Sequence, residues 1–281
     1  MKLVKVRRAE QVSLCLGFLE QSACCNLYLY EGVCSGITRY QNHCIMKDED
    51  ILGLVHTKTG SSVHLFFSLF LDDETVFRLL RAVLRRFGGA RSLFGDRDCI
   101  RRLLPVKDIS VRSFREYRFM ETDAERFDPG GHRRRTKASR AVVPPKSDAV
   151  ILVPLQQAYE IEEMKISPSL LDPVKIQAAL VRRISRGEIT ALYEEEKPVA
   201  IAGVNARYGD ACQVGSVYVL PEKRGKGYGR ELVSAHVSRL LGAYKKVALF
   251  VNTENRIACG LYGSLRFTER GMLAQAEIGG G

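Results

Sequence analysis

No uninterrupted apolar run in this chain approaches the roughly 18–20 residues that a membrane-spanning helix requires, which excludes a helical integral membrane protein. No Cys-x-x-Cys pair occurs among the eight cysteines, and His43 beside Cys44 has no partner at zinc-ligand spacing. No metal site is therefore expected. No repeat is visible at the sequence level. Disulfide frameworks belong to short secreted chains; at 281 residues this chain is not short, and reduced thiols in a cytoplasmic protein are the simpler expectation. The basic start (Lys2, Lys5, Arg7, Arg8) followed by Val12–Leu19 imitates a signal peptide. Glu10 precedes that apolar run, however, and Glu20 and Gln21 cut it short.

What is present is ordinary for a folded chain: 46% hydrophobic and 27% charged residues, which excludes a mainly disordered or collagen-like protein. At about 150 residues per domain, the length suggests two domains. The net charge of +11 is uneven, with +8 before residue 150 and +3 after it. Such a balance favours a polyanionic partner, and a phosphorylated cofactor qualifies as well as nucleic acid does. Much of the excess lies in His132–Arg140, set among Pro129, Gly130, Gly131, Pro144 and Pro145. This run reads either as a solvated linker or as a nucleic-acid or membrane patch, the linker being preferred.

In the first half, Val76, Leu79, Leu80, Val83, Leu84 and Phe87 recur at helical spacing and predict a helix over 75–87. Asp72 or Asp73 would cap it and Gly88-Gly89 would stop it. Residues 51–55 and 63–70 predict strands around a Thr59–Ser62 hairpin turn. In the second half, Asp148–Val153 reads as a strand and Gln156–Met164 as a short helix. Asp172-Pro173 opens a helix, since Asp caps and Pro fits the first turn. Strands follow at 189–193, 199–206 and 213–220, then a helix at 230–242, a strand at 247–251, a helix at 255–265, and closing strands at 267–270 and 272–278.

The informative stretch runs from Val217 to Arg230: a strand, a Pro-containing turn, a glycine-rich loop, then a helix. Gly225, Gly227 and Gly229 lack Cβ atoms, so backbone can approach a ligand closely. The loop opens a helix whose free N–H groups and positive dipole end favour an anion. Lys223, Arg224, Lys226 and Arg230 add charge, which makes a phosphate or pyrophosphate site the direct inference. The glycines alternate as Gly-x-Gly-x-Gly, with neither the Gly-Lys-Ser/Thr ending of a triphosphate loop nor the Gly-x-Gly-x-x-Gly of a dinucleotide fold.

Arg224, Gly227 and Gly229 match the Arg/Gln-x-x-Gly-x-Gly/Ala motif of the GNAT superfamily of acyl-CoA-dependent N-acyltransferases. The stretch Leu249–Asn252, with Asn255, Ala258, Leu261, Tyr262, Leu265 and Phe267, resembles that family's fifth strand and last helix. The resemblance covers about residues 148–281. It implies that Val217, Tyr218 and Val219 meet the pantetheine arm of acetyl-CoA. It further implies that the backbone of Gly225, Lys226, Gly227, Tyr228, Gly229 and Arg230 holds the pyrophosphate, with Arg224 in the motif. By the same resemblance Tyr262 protonates the departing thiolate, its plainer role being a packed core aromatic. Asn255 contacts cofactor or caps the last helix. One departure stands out: Arg266 occupies the position before the aromatic where the family has Gly.

An acetyl acceptor must attack as the neutral amine, so a carboxylate base is expected. The candidates are Glu162, Glu163, Glu188 and Glu222, with Glu162 and Glu163 preferred because they fall in the first-helix region that forms the acceptor side in this family. Neighbouring carboxylates could also bind an ammonium group or simply form a solvated face. The expectation is a mixed α/β protein of tandem GNAT-like domains, each a mostly antiparallel twisted sheet flanked by helices. The first domain would span 1–126 as a degenerate copy, the linker 127–147, and the acetyltransferase domain 148–281. The expected reaction is acetyl transfer from acetyl-CoA to a primary amine by direct attack. A non-catalytic acetyl-CoA-binding regulator and a nucleic-acid-associated acetyltransferase are the alternatives.

Overall fold

The computed structural model describes residues 2–20, 27–34, 41–57, 62–68, 71–102, 104–105, 109–130 and 139–279. Cys24, Cys25, the Thr59–Ser61 part of the expected hairpin turn, and most of the basic run, residues 132–138, lie outside them. The chain forms two compact units that are not contiguous in sequence: 1–120 with 250–256 and 269–281, and 121–249 with 257–268.

The first unit begins with β1 (Lys2–Lys5), α1 (Ala9–Glu20), α2 (Leu27–Cys34), β2 (Gln41–Lys47), β3 (Asp50–Thr57) and β4 (Ser62–Phe67). It continues with α3 (Asp73–Arg86), β5 (Ser92–Asp96), α4 (Arg97–Arg101) and most of β6 (Val111–Asp123). The stretch that imitated a signal peptide is α1, which buries Cys15, Phe18 and Leu19. Helix α3 forms where the apolar period placed it. It buries Val76, Leu79, Leu80 and Val83, and the Asp72 side chain caps it by accepting from the Thr75 N–H at 2.8 Å.

The second unit holds β7 (Ser139–Val142), α5 (Ala149–Glu162), α6 (Pro173–Ser185), β8 (Ile189–Glu194), β9 (Lys197–Tyr208) and β10 (Ala211–Val219). Then come α7 (Tyr228–Leu241), β11 (Lys246–Asn252), whose last residues belong to the first unit, and α8 (Arg256–Ser264). The last strand, β12 (Thr268–Ile278), lies almost wholly in the first unit and pairs antiparallel with β5, from Leu273–Asp96 to Glu277–Ser92.

Asp148–Val153 is not a strand: it is the start of α5, which continues without a break to Glu162. The buried positions Ala149, Leu152, Val153, Leu155 and Gln156 have helical spacing. The outward Val150 and Ile151 are apolar too and stay about half exposed. An apolar run of this kind hides its period, which is why it reads equally as a buried strand. The two strands expected at 267–270 and 272–278 are likewise one strand, β12. The β8–β9 hairpin closes through Glu195 and Glu196, both at positive φ (48° and 64°), with Glu194 paired to Lys197. Two such residues are what a two-residue hairpin of matching twist demands, although Asn-Gly fills it more often.

The two units share one order of elements. In each, a strand, two helices, three strands, a helix and a strand follow one another, and the pairings run antiparallel three times and then parallel. These are β1–β2, β2–β3, β3–β4 and β4–β5 in the first unit. They are β7–β8, β8–β9, β9–β10 and β10–β11 in the second. A duplicated topology thus underlies a sequence without a visible repeat. In the second unit α5 and α6 bury Leu152, Leu155, Ile176, Leu180 and Ile184 in one core with Ile189, Ala191, Tyr193, Ile201 and Tyr218 from the strands. Helix α7 carries a fully buried His236, whose Nδ1 lies 2.8 Å from Thr190 Oγ1. Burial pushes this imidazole down to about 3, so it is neutral at physiological pH.

Candidate active site

The glycine loop sits where β10 leaves its neighbour. The parallel β10–β11 ladder runs only from Ala211–Lys246 to Val214–Leu249. Beyond it, Gly215–Val219 pair with β9, through Gly203, Ile201 and Ala200, across a register shift. Ser216 takes φ +52° in that irregularity. Val217 and Val219 therefore form the end of a strand that lies beyond its parallel ladder, at the residues for which the GNAT resemblance implies contact with the pantetheine arm.

From there a 3₁₀ turn at Pro221–Lys223 leads into Gly225 (φ +73°) and Gly227 (φ +89°), and Gly227 is the N-cap of α7. No side chain caps α7. A Cβ built on Gly225 or Gly227 would meet no atom within 4 Å. The first-turn N–H groups of α7 are thus left for an external acceptor, at the positive end of the helix dipole. Gly229 differs: its built Cβ would lie 3.7 Å from Val219 Cγ2 and 3.8 Å from Leu261 Cδ2, ordinary contact distances. A side chain as small as alanine's would therefore fit there.

The crossover helix of the first unit makes the contrast clear. Helix α3 occupies the same place in the element order, but the Asp72 carboxylate fills its N-terminus, and Asp73 and Glu74 stand in its first turn. An anion is repelled where α7 would attract it.

Three of the four basic residues of the loop are held by protein partners. Arg224 makes a bidentate pair with Glu162, Nη1 to Oε1 at 2.7 Å and Nη2 to Oε2 at 2.8 Å, and its Nε donates to the Val219 carbonyl at 3.0 Å. Its guanidinium lies 5.3 Å from the centre of the Tyr218 ring, and the Tyr218 hydroxyl donates to Glu162 Oε2 at 3.0 Å. Lys223 and the Tyr228 hydroxyl both engage Glu194 at the end of β8. Arg230 Nη2 donates to Ser264 Oγ at 2.6 Å, and Lys226 is exposed. Strand β10, the loop and α5 are locked together by the Arg224–Glu162–Tyr218 cluster, which sequence spacing gave no means of finding.

The two adjacent acids of α5 differ in setting. Arg224's hydrogen bonds, assisted by Tyr218, hold the Glu162 carboxyl below its ordinary value against the cost of partial burial. Glu163, the C-cap residue of α5, is exposed. Its charge reaches both Tyr159 and Tyr262, raising each hydroxyl. Burial is the largest cause of both shifts, so both phenols keep their protons at neutral pH. The Tyr159 hydroxyl lies 3.6 Å from Met164 Sδ, and the backbone N–H of Ser216 also bonds to it. Tyr159, Ser216, Glu163 and Tyr262 therefore form one neighbourhood, in which only Tyr262 and Glu163 were singled out from the sequence. Glu188 is engaged by Arg183, Arg186 and Arg207 instead. Asn255 falls in the other compact unit, where its N–H bonds to the Asn252 carbonyl at 3.0 Å.

Tyr262 is placed by the end of α8. The Phe267 N–H bonds to the Tyr262 carbonyl and the Arg266 N–H to the Gly263 carbonyl, each at 3.0 Å. Arg266 has φ +62°, and the Phe267 ring stands edge-on to Tyr262 at 5.8 Å. This is the double hydrogen-bond cap in which glycine normally supplies the left-handed residue. The Arg266 backbone angle is the left-handed one that a glycine would take in this cap, held here at a cost. An L-residue in this region is disfavoured by roughly 1–2 kcal/mol, partly offset because glycine loses more chain entropy on folding. Arg266→Gly is expected to stabilise the fold by about 0.5–1 kcal/mol, read as a higher urea midpoint at unchanged m-value. An unchanged or lower midpoint would show that the arginine makes compensating contacts.

This architecture is the tandem GNAT fold. It is similar over 98% of its length to a tandem GNAT protein from the clavulanic acid biosynthesis pathway (98% of that chain, TM-score 0.64, 15% identity). It is similar over 99% to a Drosophila protein (99% of that chain, TM-score 0.67, 13% identity). A GCN5-related N-acetyltransferase from Sphaerobacter thermophilus matches 98% of it (95% of that chain, TM-score 0.64, 14% identity). No curated protein matches the sequence. Residues 155–267 match the acetyltransferase (GNAT) family, so the chain carries a GNAT acetyltransferase domain in its second half. No helix among the described residues is long and apolar enough to cross a membrane.

Proposed function

We propose that this protein is an N-acetyltransferase that moves an acetyl group from acetyl-CoA to a primary amine by direct attack in a ternary complex. The observation that carries the reading is the uncapped N-terminus of α7 behind two positive-φ glycines with open space above them. The N–H groups of Gly225–Arg230 would hold the pyrophosphate, and Val217–Val219, beyond the end of the β10–β11 ladder, would face the pantetheine arm. Acetyl-CoA, when bound, supplies the activated thioester.

The chain's own groups do the proton work. Tyr262 Oη keeps its proton at neutral pH and is the donor for the leaving thiolate. Glu163 is the free carboxylate of the pair and takes the proton that the attacking amine must shed. Glu162, engaged by Arg224, fixes the position of the loop against α5. Transfer is assigned to residues 148–281. The half over 1–126, whose corresponding helix is capped by Asp72, is read as a degenerate copy without a coenzyme site.

The test is coenzyme release, followed by a thiol reagent, with the full chain, acetyl-CoA and a panel of small amines, peptides with free N-termini and lysine peptides. Acetyl-CoA-dependent thiol release with at least one amine class is the expected result. Tight acetyl-CoA binding without turnover on any acceptor would identify a non-catalytic acetyl-CoA-binding protein instead.

A further inference from the structure

A cavity of about 280 Å³ opens between α5 and α6. Its apolar wall comes from Leu171, Ile176 and Leu180, and Leu170, 77% exposed, stands at the rim. Gln156 also lines it and is more than nine-tenths buried. The Gln156 Nε2 donates to Glu160 Oε1 at 3.0 Å, but its Oε1 has no hydrogen-bond partner among the described residues. A buried carbonyl oxygen left without a donor is costly and calls for one.

The charges around the cavity are balanced and occupied. Asp172 accepts from the Val174 and Lys175 N–H groups and lies 3.4 Å from Lys175 Nζ. Arg183 donates to the Val204 carbonyl at 3.2 Å and faces Glu188 at 3.8 Å. Glu160 receives the Gln156 amide. Two acids and two bases leave no net charge to attract an ion, so the cavity suits a neutral group: apolar along its length, with an N–H or O–H at its end.

We propose that this cavity seats the non-reacting end of the acceptor, an uncharged apolar arm whose terminal amide or hydroxyl donates to Gln156 Oε1. The placement fits that role. Gln156 and Glu160 line the cavity, and Glu163 follows one helical turn further along the same side of α5, so an arm in the cavity belongs to a molecule whose amine reaches toward Glu163. The proposal rests on the acetyltransferase reading for the identity of the ligand, and its test does not depend on turnover.

The chain has no tryptophan, so Leu170→Trp places a single reporter at the rim. The Leu170→Trp protein is titrated with an amine carrying an alkyl arm that ends in a primary amide, and with matched amines ending in methyl, carboxylate or ammonium. Saturable quenching is expected with the amide compound at an affinity about tenfold or more above the methyl, carboxylate and ammonium analogues. Adding Gln156→Leu should erase the preference for the amide over the methyl compound. Adding Ala179→Phe, which fills the cavity from α6, should abolish quenching by all four. Circular dichroism checks that each variant is folded. Absence of saturable quenching, an unchanged preference in the Gln156→Leu protein, or tighter binding of a charged analogue would each overturn the proposal. If quenching follows the expected pattern while no amine releases thiol from acetyl-CoA, the pocket stands and the acetyltransferase reading falls.

Discussion

Gly227→Val is expected to lower acetyl-CoA affinity by about 100-fold or more while leaving a folded protein. Gly227 has φ +89°, a conformation that a β-branched residue does not adopt without strain. Holding such an angle costs roughly 1–3 kcal/mol, so the loop relaxes and the N–H array at the start of α7 is lost. If the valine is forced into place, its side chain enters the open space above the loop, because nothing in the protein lies within 4 Å of that Cβ. Either outcome removes the close backbone approach, and each 1.4 kcal/mol lost is about tenfold in affinity. Gly229→Ala is the control: its φ is not positive, and its new Cβ makes only ordinary contacts with Val219 and Leu261. Titration calorimetry checks both variants. Unchanged affinity in Gly227→Val, with an unchanged melting curve, would remove the glycine loop from the binding site.

Tyr262→Phe is expected to lower kcat by about 10²–10⁴-fold, the usual contribution of a positioned acid or base, with little change in acetyl-CoA affinity. The substitution keeps the ring, its edge-on contact with Phe267 and the backbone bonds that end α8, and removes only the hydroxyl. Burial holds that hydroxyl above its ordinary value, so it stays protonated throughout the neutral range and its rate contribution is insensitive to pH there. A single-turnover measurement isolates the chemical step. An unchanged chemical rate would reduce Tyr262 to a packing residue.

Where the sequence was legible, the cause was local. Asp172-Pro173 names a helix start because an Asp cap and a Pro first turn need no information from elsewhere, and Asp172 does accept from the Val174 and Lys175 N–H groups. The period of Val76, Leu79, Leu80 and Val83 defines α3 for the same reason. The first half of α5 was misread because Val150 and Ile151 are apolar on its outer side, which leaves no amphipathic contrast to detect. Arg266 was noticed as a departure, and the backbone geometry shows how it is accommodated: it adopts the left-handed angle itself, at φ +62°.

The sequence by itself determined the glycine loop and its place between a strand and a helix, and hence the expectation of an anion-binding helix end in the second half of the chain. Those depend on residue type and on spacing within a few positions. Only the tertiary structure decided which side chains the loop's charges meet. Arg224 and Glu162 are 62 positions apart, and their bidentate pair exists because α5 packs beside the end of β10. The duplicated order of elements was hidden for a related reason: strand pairings and helix positions tolerate almost complete replacement of residues if apolar faces are kept. The placement of β12 beside β5 was also beyond reach of the sequence, since an alternating apolar strand fits any sheet edge of matching register, and long-range packing alone selects the edge.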